Sequence, residues 1–115
     1  MNLSETTAWI DICELDFIAP GTGVAALIDD EPVAVFRIDD SGDAPRAIGN
    51  TDPFTRASVL SRGLIGCRKG EPFVASPLLK HAFSLDTGEH LEDRSVRVPV
   101  YASRVVEGRV QVAKK

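Results

Sequence analysis

The chain has 115 residues, 43% of them hydrophobic, which suits one compact domain able to fold without a metal or disulfides. Its net charge of −4, from 17 acidic and 13 basic residues, argues against a nucleic-acid binder, and Lys114-Lys115 is too short for a basic tail. Residues 1–8 are polar, with no secretory leader pattern, and no apolar run approaches the ~20 residues of a membrane span. Cys13 and Cys67 are the only cysteines, so a reduced, cytoplasmic protein without membrane association is expected.

Trp9, Ile10, Ile12 and Cys13 open an apolar segment rich in strand formers. Val24, Ala26 and Ile28 alternate along the next run. It breaks at Asp29-Asp30-Glu31-Pro32 and resumes at Val33-Ala34-Val35-Phe36-Arg37-Ile38, a hairpin pattern. Asp39-Asp40-Ser41-Gly42-Asp43-Ala44-Pro45 reads as a polar loop and Ala47-Ile48 as a short strand. Asp52 to Leu60 is the best helical candidate, with Asp52 as N-cap and Pro53 in the first turn, although Thr55 and Val59 oppose it. Leu64–Arg68 and Pro72–Ala75 flank Lys69-Gly70-Glu71 as a second hairpin. Phe83-Ser84-Leu85 meets the turn Asp86-Thr87-Gly88-Glu89. Val96, Val98 and Val100 alternate with Arg97 and Pro99. Val105-Val106 and Val110-Gln111-Val112 form a last hairpin around Glu107-Gly108. Short strands with dense turns predict an all-β sandwich or barrel.

The usual site chemistries find little support. His81 and His90 are the only histidines; each is expected to be a surface or hydrogen-bonded residue, since no serine, cysteine and carboxylate set accompanies them at a catalytic spacing. Cys67, between Gly66 and Arg68, reads as a small core residue. A zinc site lacks paired Cys-x-x-Cys or His-x-x-His spacing. The acidic run at Asp39–Asp43 lacks the spaced ligands and closing glutamate of a calcium loop. Gly21-Thr22-Gly23 precedes a strand rather than a helix, so it is a turn and not a phosphate cradle. The aromatics Trp9, Phe17, Phe36, Phe54, Phe73, Phe83 and Tyr101 are scattered without basic interleaving and are expected in the core.

Two segments carry more information. In Ser76-Pro77-Leu78-Leu79-Lys80-His81-Ala82-Phe83-Ser84-Leu85-Asp86-Thr87-Gly88, the residues Pro77, Phe83, Thr87 and Gly88 fall in register with a Rieske motif, Cys-Pro-Trp-His-Gly-x-x-Phe-x-x-x-Thr-Gly. Ser76 stands at the cysteine position and Leu79 at the histidine position. In the stretch from Ile48 to Gly63, the residues Asn50, Pro53, Leu60, Ser61 and Gly63 echo the other Rieske loop. There Asp52 takes the cysteine position and Phe54 the histidine position. With Trp9–Cys13, Val59–Ile65, Val74–Leu78 and Val110–Val112, the pattern resembles the small subunits of NADH-dependent assimilatory nitrite reductase. These are Rieske-like proteins without a cluster, and the likeness spans about Ala8 to Val112.

The resemblance implies one all-β Rieske-like domain over residues 1–115, an antiparallel sandwich or barrel with a smaller lobe at about 46–90. It implies a non-catalytic subunit of an enzyme reducing nitrite to ammonium. The large-subunit partner would carry siroheme, FAD and a [4Fe–4S] cluster. This chain is expected to hold no cofactor and no catalytic site. A [2Fe–2S] Rieske centre needs two thiolates and two imidazoles, whereas the matching positions hold Asp52, Phe54, Ser76 and Leu79. Phe54, Leu78 and Leu79 are expected to plug the space between the loops. Truncating Phe54 or Leu79 would then cost about 2–4 kcal/mol in stability or docking. Asp52, Phe54, Leu78, Leu79, Lys80 and His81 are placed near a partner interface. The alternatives are a free-standing interaction module for another oxidoreductase and, against the missing ligands, an electron carrier.

Overall fold

The structure, a computed structural model, describes residues 8–39 and 44–113. The strands are β1 (Trp9–Glu14), β2 (Thr22–Ile28), β3 (Glu31–Arg37), β4 (Arg46–Gly49) and β5 (Leu64–Arg68). They continue with β6 (Glu71–Ala75), β7 (Ala82–Ser84), β8 (Val100–Tyr101), β9 (Ser103–Val106) and β10 (Arg109–Ala113). Short 3₁₀ turns at Leu15–Phe17 and Leu60–Arg62 complete the regular structure. Three antiparallel sheets result, in the orders β1-β10-β9, β2-β3-β4-β8 and β5-β6-β7. Among the described residues no helix is long and apolar enough to cross a membrane.

Three hairpins close on two-residue turns in which both residues have positive φ: Asp29-Asp30, Lys69-Gly70 and Glu107-Gly108. That conformation matches the right-handed twist of the flanking strands, which is why Asp and Gly dominate these positions. Side-chain alternation then divides the interior. On β3 and β4, Val33, Val35 and Ala47 face one core with Ile18, Ile28, Tyr101, Val110 and Val112. Their neighbours Ala34, Phe36 and Ile48 face a second core with Leu60, Val74, Phe83, Leu85 and Val98. The unbroken apolar run Val33–Phe36 is therefore a strand buried on both faces. Phe36 and Phe83 are wholly enclosed in the second core, and burial on this scale stabilises by about 1.5–3 kcal/mol per side chain. Between β4 and β8 the chain leaves the central sheet, builds β5-β6-β7 with two long loops, and returns.

Several expectations fail for local reasons. No helix forms over Asp52–Leu60. Arg56 N–H donates to Asp52 O (2.7 Å), closing one turn, but Arg56 then takes φ +64° and Asp52 N–H donates to Ala57 O (2.9 Å), folding the chain back on itself. Of the Val96–Val100 alternation, only Val100 pairs as part of a named strand. Val98 still reaches the core, and Arg97 makes an isolated bridge to Glu89. Cys67 is exposed rather than buried, because it sits near the turn end of edge strand β5. Phe17 and Phe54 are likewise exposed, unlike Phe36, Phe83 and Tyr101. Both cysteines are free thiols. Of the polar loop expected at Asp39–Pro45, residues 40–43 lie outside the described residues.

Candidate functional site

The two motif segments become two adjacent loops, 50–61 and 76–81, at the end of the β5-β6-β7 lobe. Asn50, nearly buried, anchors the first. Its Oδ1 accepts from Ser61 N–H (2.7 Å) and its Nδ2 donates to Ser58 O (3.3 Å). Its own N–H donates to Pro32 O, and its carbonyl accepts from Leu60 N–H. Glycine is required where the loops meet strands. A Cβ on Gly63 would lie 2.3 Å from Ala75 O, inside any permissible contact. These are positions the motif retains, and they are retained for packing.

At the two cysteine positions the loops are joined by a hydrogen bond. Ser76 Oγ donates to Asp52 Oδ2 at 2.7 Å, with Asp52 0% and Ser76 1% exposed. Asp52 Oδ1 accepts from Phe54 N–H (2.8 Å), and Ser76 Oγ accepts from Leu78 N–H (3.3 Å). Ser76 N–H closes the second loop by donating to His81 O (2.8 Å). Each of these two buried side chains thus serves its own loop and the neighbouring one. Leaving such a group unmatched costs about 1–3 kcal/mol.

The histidine positions part company. Phe54 stacks on His81, with ring centroids 4.1 Å apart and planes inclined by 28°. His90 meets both rings edge-on at 5.1 Å and leans on Phe83 at 5.4 Å. His90 is only 5% exposed, and neither ring nitrogen has a hydrogen-bond partner among the described residues. It was expected on the surface or hydrogen-bonded, and it is neither. A ring that can pack edge to face is accepted here for its shape and quadrupole. Its place could not be read from the sequence, because it follows a turn and belongs to no alternating run.

Leu79 does not join this cluster. It is 72% exposed and Leu78 is exposed as well, so of the plug expected from Phe54, Leu78 and Leu79 only Phe54 packs between the loops, through its ring contacts with His81 and His90. His81, half-buried, supplies the contact to Phe54 instead. Leu79 and Lys80 both take positive φ, +64° and +58°, a conformation that costs L-residues about 1–2 kcal/mol each. The expected cost of losing Leu79 from the folded domain is therefore revised. Leu79→Ala should leave stability within about 0.5 kcal/mol of the parent. Leu79→Gly should raise it by about 0.5–1 kcal/mol, the relief of strain less the added chain entropy of glycine. Urea titration of both variants measures this, and a clear loss in Leu79→Ala would restore the plug.

The proposed interface residues are thus sorted by depth. Asp52 lies beneath the surface, His81 is half-buried, and Phe54, Leu78, Leu79 and Lys80 face solvent. On the flank of the lobe, Arg94 clasps Glu71 (2.9 Å) and Glu89 (3.2 Å). Hydrogen bonds from Arg94 and Ser84 hold the Glu71 carboxyl below its ordinary range. No group of three or more His, Cys, Asp or Glu side chains able to hold a metal occurs among the described residues. Cys13, on β1, and Cys67, on β5, are away from the two loops.

A family model described as the Rieske-like [2Fe-2S] domain matches residues 8–113. The chain is 52% identical over 104 residues to the nitrite reductase (NADH) small subunit of Escherichia coli K12, covering 90% of this chain and 95% of that protein. It superposes on the crystal structure of an NADH-dependent nitrite reductase small subunit from Mycobacterium tuberculosis with a TM-score of 0.89. The identity there is 50%, over 95% of this chain and 96% of that one. A 104-residue stretch, 90% of this chain, is also 38% identical to part of the nitrite reductase [NAD(P)H] large subunit of Klebsiella oxytoca, covering 11% of that protein. By these matches over nearly its whole length, the chain belongs to the Rieske-like [2Fe-2S] domain family, among the small subunits of NADH-dependent nitrite reductase.

Proposed function

We propose that this chain is a cluster-free, non-catalytic subunit that docks through loops 50–61 and 76–81 on the siroheme- and flavin-bearing large subunit of a cytoplasmic nitrite reductase. The observation that carries this reading is the Asp52–Ser76 hydrogen bond at the positions where the motif places thiolates. A [2Fe–2S] Rieske centre takes two sulfurs on one iron and two imidazoles on the other. Asp52 and Ser76 offer hard oxygens that are engaged with each other, while Phe54 and Leu79 offer no donor atom. Hard oxygen ligands are a poor match for such a cluster. The donor set does not fit the group that the family description names, and no electron-transfer step is assigned to this chain.

What the residues do instead is hold the two loops together. The buried hydrogen bond joins them from within, and the Phe54–His81 stack joins them nearer the surface. The lobe thus keeps a fixed tip without metal. The Klebsiella oxytoca large subunit supports the choice of partner, because a segment resembling this chain is there part of the large chain itself. The test is to purify the chain alone and together with its large subunit. The expected result is a colourless chain with iron and acid-labile sulfide far below stoichiometric, which co-elutes with a coloured large subunit. Stoichiometric iron and sulfide in the lone chain would overturn the cluster-free reading. A lone chain that never associates would favour a free-standing module.

A further inference from the structure

Charge is distributed unevenly between the lobe and the rest of the molecule. From Pro53 to Leu85 the sequence holds Arg56, Arg62, Arg68, Lys69 and Lys80 against a single acid, Glu71. The other 16 acids and eight bases lie outside that stretch, which therefore carries +4 against −8 for the remainder; of the nearest acids beyond it, Asp52 is buried and Asp86 and Glu89 are paired with Arg46 and Arg94. Glu71 is itself bound by Arg94. Arg56, Arg62 and Lys80 are exposed and make no ion pair with any described residue, whereas Arg37, Arg46, Arg68, Arg94 and Arg109 all do.

The same region carries four of the large exposed apolar side chains: Phe54, Leu64 at 79% exposure, Leu78 and Leu79. Phe54 lies on the first loop, Leu78 and Leu79 on the second, and Leu64 on the strand that follows the first. Leu64 pairs with Ala75 across β5 and β6, next to Ser76. A cleft of about 280 Å³ runs between the two segments, walled by Leu64, Ala75 and Pro77 together with Arg62 and Lys80, with no acid in its lining. An apolar centre with unpaired cations at its margin has the anatomy of a contact surface. The consecutive strained residues Leu79 and Lys80 hold one apolar and one cationic side chain out from it.

We infer that the large subunit meets this tip with an apolar surface rimmed by carboxylates, and that one acidic side chain or segment of it enters the cleft between Arg62 and Lys80. The inference rests on the docking reading above and adds the chemistry and the place. The −8 remainder of the chain would be repelled by such a surface, so the field of the whole molecule turns the tip toward its partner before contact. Association is accordingly fastest at low salt, and its salt dependence resides in the tip cations.

The test measures binding of the purified chain to purified large subunit at low and high salt. The parent chain is compared with Arg62→Glu/Lys80→Glu, with Leu64→Ser/Leu79→Ser, and with Phe17→Ser/Leu27→Ser. The last pair is the other prominent exposed apolar pair and lies on the β1–β2 side. Melting curves confirm that each variant is folded, which exposed positions make the expected result. The charge-reversed variant should bind about tenfold or more weakly at low salt and lose most of its salt dependence. The leucine variant should weaken binding at all salt concentrations, and the Phe17/Leu27 variant should bind like the parent. Parent-like binding by both tip variants would overturn the tip assignment while leaving docking intact. No binding by the parent chain at any salt concentration would overturn the docking reading itself.

Discussion

Gly88→Ala is expected to destabilise the domain by about 2–5 kcal/mol, a large share of the stability of a marginally stable protein. Two costs combine at this position. Gly88 has φ +77°, which an alanine enters at about 1–2 kcal/mol. Its Cβ would also lie 2.3 Å from Val98 O and 2.9 Å from a Val100 methyl. The carbonyl cannot step aside cheaply, because Val98 N–H donates to Gly88 O (2.9 Å) and fixes the two segments against each other. Such overpacking typically costs a further 1–3 kcal/mol or so. Gly70→Ala is the internal control. Gly70 has a similar φ of +82°, but nothing lies within 4 Å of its would-be Cβ. It should lose only the conformational part, about 1–2 kcal/mol. Urea titrations of the two variants give the difference directly. Equal losses would mean that Gly88 is held by backbone conformation alone and that its approach to Val98 is unimportant.

The comparison explains why part of this molecule was legible in its sequence. Asp29-Asp30, Lys69-Gly70 and Glu107-Gly108 are local signals, and a two-residue turn fixes the register of both flanking strands without reference to the rest of the chain. The motif glycines Gly63 and Gly88 report close backbone approach, so they mark the loops whatever side chains stand at the ligand positions. What failed depended on contacts made at a distance. The helix at Asp52–Leu60 had its N-cap residue in place, and Asp52 Oδ1 does accept from Phe54 N–H as in a capping turn. The second carboxyl oxygen is held by Ser76, 24 residues away, and the chain is turned back instead of continuing. Leu79 stands at the motif's histidine position, which by sequence alone makes it cover for the site. Its positive φ directs it outward, and His81 takes the contact with Phe54. His90 carried no signal at all. The pairing of Asp52 with Ser76 did carry one: two small polar residues stand at both positions where a pair of buried thiolates would converge, and each needs a partner there.

That pairing supports the second large effect. Asp52→Ala should destabilise the domain by about 2–5 kcal/mol, because it strands the buried Ser76 hydroxyl and takes the acceptor from the part-buried Phe54 N–H. Ser76→Ala should cost less, about 1–3 kcal/mol. It leaves Asp52 Oδ2 unmatched but preserves the acceptor for Phe54, and it also removes the acceptor of Leu78 N–H. The double variant should lose less than the sum of the two, since neither partner then remains to be left unmatched, and a coupling of about 0.5–3 kcal/mol is expected for residues in direct contact. Strict additivity in a double-mutant cycle would mean that the two loops are held by the Phe54–His81–His90 rings and that the buried hydrogen bond is incidental. Full coupling would identify it as the link that holds the two loops together. A metal centre in this fold joins the loops through its ligands, and removing the metal would separate them. On the cluster-free reading proposed above, the link is made of two side chains that fold with the chain, and the tip would be preserved whatever the supply of iron or sulfide.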